Sequence, residues 1–119
     1  MIENFRVGID IVHIPRFIKL PYLKNQSFYK KIFLISEIQY CLKFKNQSEH
    51  FAGKFATKEA IKKSLSEKID YLDIQTSHKD SKPIVKLKNN SSYNFLVSIS
   101  HDADYATAIV ISEKSKNKI

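Results

Sequence analysis

Three ionisable residues stand in places where charge is costly. Asp10 sits inside "VGIDIV", a run otherwise apolar on both faces of a strand, where aspartate is depleted. Glu59 and Lys63 belong to "FAGKFATKEAIKKSL", Phe51 to Leu65. Stepped at about 100° per residue around a helix axis, Ala52, Gly53, Ala56 and Ala60 form a small, flat flank, with Glu59 and Lys63 at its edge. A Glu–Lys pair at i, i+4 is by itself a common surface pair worth about 0.3–0.5 kcal/mol. Beside a flank shaped for close packing, however, the carboxylate is half-buried and needs a strong partner. If Asp10 faces Glu59, two like charges meet, and a cation relieves their repulsion. Two carboxylates plus waters suit a magnesium ion that also holds substrate phosphates. Gly8, two residues before Asp10 on the same strand face, leaves room for a ligand. The competing reading of Asp10 is an edge residue pointing at solvent or capping the next turn.

Two further groupings could bind or activate a substrate. Lys54, Lys58 and Lys62 recur at i, i+4 and i+8. They form either a solvated face with lysine stems lying over apolar neighbours or a stripe that binds phosphate. In "SISHDAD", Ser98 and Ser100 share a strand face and His101 follows at the strand end, beside Asp102. That pair could be a base with an orienting carboxylate, or simply turn residues. His13, His50 and His78 show no companions in the sequence. No Gly-rich phosphate loop, G-x-S-x-G, H-E-x-x-H or zinc spacing is present.

The elements that must position these groups follow from apolar periodicity. Phe5 to Ile14 reads as a strand ended by Pro15, and "PRFIKL" as a short helix with proline in its first turn. Asn25 to Phe44 carries helical spacing in two short helices, with Ser36 as cap of the second. Ser48 caps the long helix. A strand is expected near Leu72 to Thr76 and another from Pro83. "NNSSYN" is a loop, and "FLVSIS" and "YATAIVIS" are strands joined by "HDAD" as a hairpin. The order predicts a single α+β domain over residues 1–119, an antiparallel sheet with a long helix packed against it.

Composition narrows the partners. The 119 residues suffice for one domain with a core, and the 43% hydrophobic content argues against disorder. A net charge of +8 favours an anionic partner: nucleic acid, anionic membrane, acidic protein or phosphorylated small molecule. The chain's general richness in lysine supplies part of that charge. A single cysteine, Cys41, excludes an intrachain disulfide and suggests a reducing compartment. The start of the chain does not read as a signal peptide, and no stretch has the roughly 20 apolar residues of a membrane span.

Taken in order, "VGIDIVHIPRF", "FAGKFATKEAIKKSL" and "VSISHDADYATAIVI" resemble the holo-(acyl-carrier-protein) synthases, the short members of the 4′-phosphopantetheinyl transferase superfamily. "FLISEIQY" and "LDIQTSHKDSKPIV" match between them, so the resemblance covers nearly the whole chain. It implies the 4′-phosphopantetheinyl transferase fold, a homotrimer with sites at subunit interfaces, and a cytoplasmic location. It implies magnesium-dependent transfer of the phosphopantetheine arm of coenzyme A to a serine of apo acyl carrier protein, releasing adenosine 3′,5′-bisphosphate. Neither nucleic acid nor membrane is an implied partner. By the same resemblance Asp10 and Glu59 are metal ligands, and Lys63 sits by the phosphates. Arg16 meets the acidic carrier protein, and Lys54, with Lys58 on its stripe, lies near the coenzyme A phosphates. Pro83 belongs to a "GKP" turn, and Ser100 and His101 lie beside the nucleotide. A metal-bound water, Glu59 through water, or His101 could take the serine proton.

The chain departs from the family pattern in three places. Ser64-Leu65-Ser66-Glu67 replaces a Gly-rich turn after Lys63, and Ser81 replaces the glycine of "GKP". A basic run before the long helix is reduced to Lys43, Lys45, Asn46 and Gln47. The altered glycine turns leave open an inactive assembly subunit of the same fold, and the +8 charge with its interleaved Tyr and Phe leaves open a small basic nucleic-acid-binding domain.

Overall fold

The computed structural model describes residue 2 and residues 4–90 and 92–115. Strand β1 (Phe5–His13) leads into α1 (Pro15–Ile18), a 3₁₀ turn (Tyr22–Lys24), α2 (Gln26–Lys30) and α3 (Ile35–Leu42). The long helix α4 (Gln47–Ser64) follows, then a 3₁₀ turn (Tyr71–Asp73), β2 (Ile74–Lys79), β3 (Lys82–Leu87), β4 (Tyr93–Asp102) and β5 (Tyr105–Lys114). This is the expected α+β order, with one refinement. The strands form two antiparallel sheets, a three-stranded one in the order β1-β5-β4 and a separate β2-β3 hairpin. Ser91, in the loop expected before β4, lies outside the described residues.

Both expected helix caps move. The α3 boundary residue is Leu34, with extended backbone, and its N–H donates to Glu37 Oε1 at 2.7 Å, so Ser36 lies inside the helix. Helix α4 begins at Gln47, before Ser48, and Asn46 Nδ2 donates to Glu49 Oε2 at 2.6 Å across its first turn. The β4–β5 connection is shorter than "HDAD": His101 and Asp102 remain in the strand, and Ala103 turns with φ 51°. The β2–β3 turn is made without glycine. Asp80 and Ser81 take φ 52° and 67°, left-handed values that cost an L-residue about 1–2 kcal/mol each.

Helix α4 is buried on nearly every side, which explains its weak amphipathicity. Ala52, Ala56 and Ala60 pack with Val12, Ala106, Ala108 and Val110 of the three-stranded sheet in one core. Phe51 and Phe55 face an aromatic cluster with Phe17, Tyr29 and Phe33. Gly8 takes a different role from the one expected. A Cβ there would lie 1.9 Å from Ala60 O and 2.9 Å from Ser64 N. The missing side chain lets β1 touch the α4 backbone and leaves no space for a ligand.

Candidate active site

Strand alternation decides where Asp10 points. Gly8 and Val12 are buried against α4, and Asp10, between them in the same phase, faces the same helix at 15% side-chain exposure. Glu59 and Lys63 approach from α4, but they do not form their i, i+4 pair. The Lys63 ammonium donates to Asp10 Oδ1 and to Ile9 O, each at 3.0 Å, and so ties helix to strand. Glu59 Oε1 accepts a hydrogen bond from the Tyr71 hydroxyl.

Tyr71 also reports where the charges lie. Burial, the hydrogen bond to Glu59 and the charges of Glu59 and Asp10 push its phenol up to about 12, while Arg16 opposes them. Both carboxylates and the Arg16 guanidinium therefore act on one hydroxyl. Arg16 is exposed, with its guanidinium 5.4 Å from the Phe55 ring centroid. The seam between β1 and the end of α4 thus gathers Asp10, Glu59, Lys63, Arg16 and Tyr71.

A second cluster lines a groove of about 790 Å³ between α4, β3 and β4. Lys54, Pro83 and His101 face it together with His50, His78 and Tyr40. Gly53 faces the His101 ring, and a Cβ on it would sit 3.4 Å from His101 Nε2, at contact distance. The histidines the sequence left without companions find aromatic ones, His50 six residues away and His78 from a distant segment. His50 stacks on Phe44 at 3.7 Å between centroids, and His78 on Tyr40 at 4.7 Å. Burial lowers both imidazoles from the usual 6.5. His101 Nδ1 lies 3.6 Å from Glu49 Oε1, so its carboxylate neighbour is on α4. Adjacent strand residues point to opposite faces, which takes Asp102 away from it.

Three expectations change. Lys58 is no phosphate ligand: it has 0% exposure, and its ammonium donates to Glu37 Oε1 at 2.7 Å, Ile32 O at 2.8 Å and Tyr71 O at 3.0 Å. Burial pulls that ammonium below the usual lysine value, and Glu37 pulls it back up. Lys54 reaches the groove, but its ammonium is held by Thr76 Oγ1 at 2.9 Å and lies 4.8 Å from the Tyr40 ring centroid. Ser100 faces away from the groove, paired across from Thr107 on the other side of the sheet. The lysine stripe is therefore neither a solvated face nor a continuous phosphate-binding stripe, and Lys62 lies over the Tyr71 ring at 3.7 Å. Tyr71, Glu37 and Glu49 carried no signal in the sequence, because each meets its partner across a turn or from another element.

The donor set at the seam fits a hard cation. It offers carboxylate oxygens from two elements, and no cluster of three or more histidine, cysteine or acidic side chains exists among the described residues. Magnesium held by one or two carboxylates and completed by substrate phosphates matches that set better than an all-protein cage.

The fold brings together a seam that carries two carboxylates and a groove that carries Lys54 and His101. The chain belongs to the 4′-phosphopantetheinyl transferase superfamily, whose family model matches residues 6–110. Within it, the similarity is to holo-(acyl-carrier-protein) synthases. The one from Geobacter sp. (strain M21) is 33% identical over 123 residues, covering 92% of this chain and 98% of its own length. Among solved structures, the Helicobacter pylori synthase in complex with coenzyme A superposes with TM-score 0.79 at 35% identity, covering 90% of this chain and 99% of that one. The Bacillus anthracis synthase in complex with CoA (3′,5′-ADP) gives TM-score 0.79 at 30% identity, covering 92% and 96%. No helix among the described residues is long and apolar enough to cross a membrane.

Proposed function

We infer that this chain transfers the 4′-phosphopantetheine arm of coenzyme A to a serine hydroxyl of apo acyl carrier protein. The observation that carries this reading is the convergence of Asp10, Glu59 and Lys63 on the seam between β1 and α4. The relatives solved with coenzyme A, which share this fold at 30% identity or more, support the choice of donor.

Asp10 and Glu59 would hold magnesium, which when bound acts as a Lewis acid and a template for the pyrophosphate. The serine hydroxyl gives up its proton to a base of the site as its oxygen forms a bond to the β-phosphorus and the bond from that phosphorus to the bridging oxygen breaks. Adenosine 3′,5′-bisphosphate departs with that oxygen. Protein groups contribute positioning and charge to such a transfer. The Lys63 side chain is more than half exposed, so its ammonium can leave Asp10 for a phosphate. Lys54 and His101 supply cationic or donor groups to the groove, and Pro83 shapes its rim. Exposed Arg16, beside the seam, is placed to meet an acidic carrier, with an attraction that weakens as salt rises.

A homotrimer belongs to this reading. Phe5, Val7, Ile9, Ile11, Ile109 and Leu96 lie exposed on the sheet face opposite α4, and Ile9 alone is 59% exposed. Ser100 stands on the same face, where it would serve a neighbouring subunit's site.

The test is intact-mass analysis of an apo carrier protein incubated with this chain, coenzyme A and magnesium. The carrier should gain one phosphopantetheine. Glu59→Ala, or a chelator, should slow the gain about 100-fold or more, the several kcal/mol that a Lewis-acid ion contributes. An unmodified carrier from a folded sample would turn the reading to an assembly subunit.

A further inference from the structure

We propose that Tyr71 is a positioning residue that fixes the Glu59 carboxylate in its metal-binding orientation. The proposal rests on the reading of Glu59 as a ligand given above. Glu59 is half-buried near the end of α4, on a side chain with three rotatable bonds. The Tyr71 hydroxyl takes Oε1 and leaves Oε2 as the oxygen to face a cation. A hydroxyl can hold a carboxylate only if it is itself held, and Tyr71 is held at three points. Its ring packs on Phe55 at 5.8 Å between centroids. The Lys62 ammonium lies over its face at 3.7 Å. Its carbonyl accepts from Lys58 Nζ at 3.0 Å, and Lys58 is locked by the Glu37 carboxylate at 2.7 Å.

The buried Lys58–Glu37 pair thus acquires a function. It fixes the 3₁₀ turn at Tyr71–Asp73, which presents the phenol to Glu59. Carboxylates that bind metals are commonly oriented by such hydrogen bonds, and removing the partner costs 10–100-fold in metal affinity.

The test compares wild type, Tyr71→Phe and Glu59→Ala. Tyr71→Phe keeps the ring, its packing and the carbonyl that Lys58 uses, and deletes only the hydroxyl. Manganese(II) binding is titrated by electron paramagnetic resonance in the presence of coenzyme A, alongside the magnesium dependence of transfer and a thermal melt. In Tyr71→Phe the manganese dissociation constant should rise about 10-fold. The magnesium needed for half-maximal rate should rise in parallel, with KM for the carrier and the melting temperature nearly unchanged. A Tyr71→Phe protein that binds manganese as tightly as wild type overturns the proposal, provided Glu59→Ala has lost the ion. If Glu59→Ala binds manganese as wild type does, the assignment of Glu59 as a ligand fails instead, and the inference goes with it.

Discussion

Lys58 shows how far one residue can stand from the role its spacing suggests. In the sequence it is the middle lysine of a stripe. In the fold it is a fully buried ammonium with three oxygen partners, paired to an equally buried Glu37. Periodicity identifies the residues that share a helix face. It does not say which face is inside when, as in α4, apolar, small and lysine positions all end up buried. A buried pair adds little net stability over an apolar replacement, but removing one partner strands the other charge. Lys58→Met should therefore lower unfolding free energy by about 3 kcal/mol, read from the urea midpoint. An unchanged midpoint would mean that Glu37 is satisfied by its remaining donors, Leu34 N–H, Thr76 N–H and the Thr76 hydroxyl.

At the scale of elements, the junction of β1 with α4 builds the seam. That Gly8, Asp10 and Val12 share one face was legible, because a strand has period two; that this face meets α4 was not, because the run is apolar on both sides. The contact of Gly8 with Ala60 O was not legible, since an exposed ligand pocket and a close backbone approach both call for glycine. Gly8→Ala would force its Cβ into the Ala60 carbonyl and push the strand from the helix. We expect a loss of about 1–3 kcal/mol in stability, the usual cost of overpacking. A lower transfer rate should accompany it, because Asp10 and Glu59 ride on the two separated elements. A melt and the intact-mass assay check both. The Tyr71–Glu59 bond was equally hidden: its partners are twelve positions apart, across the end of α4 and an irregular stretch from 65 to 70, and neither apolar period reaches across them.

For the whole molecule, the sheet face opposite α4 sets the expected assembly. Ile9 lies across from Ile109 in the β1–β5 register, both exposed within a patch that runs to Leu96. A contiguous exposed apolar patch of this kind is the mark of an interaction site. Ile109→Asp should convert a trimer to monomer in sedimentation and reduce transfer with it. A wild-type chain that sediments as a monomer would remove the trimer from the proposal. The sequence already hinted at this face, because β1 is apolar on both sides, but only the fold shows that one side has no layer over it.

The Glu37 carboxylate has one more consequence, for how the protein comes apart. It binds Lys58 of α4 and both the amide and hydroxyl of Thr76 in β2, from its own place in α3. The β2–β3 hairpin shares no ladder with the three-stranded sheet, and a lone hairpin is marginally stable in water. To open locally, it would have to leave a buried carboxylate and the Lys54 ammonium short of partners. The amide proton of Thr76 is thus expected to exchange only when the whole chain unfolds, which makes the hairpin part of the molecule's slowest-exchanging unit rather than a loosely attached arm.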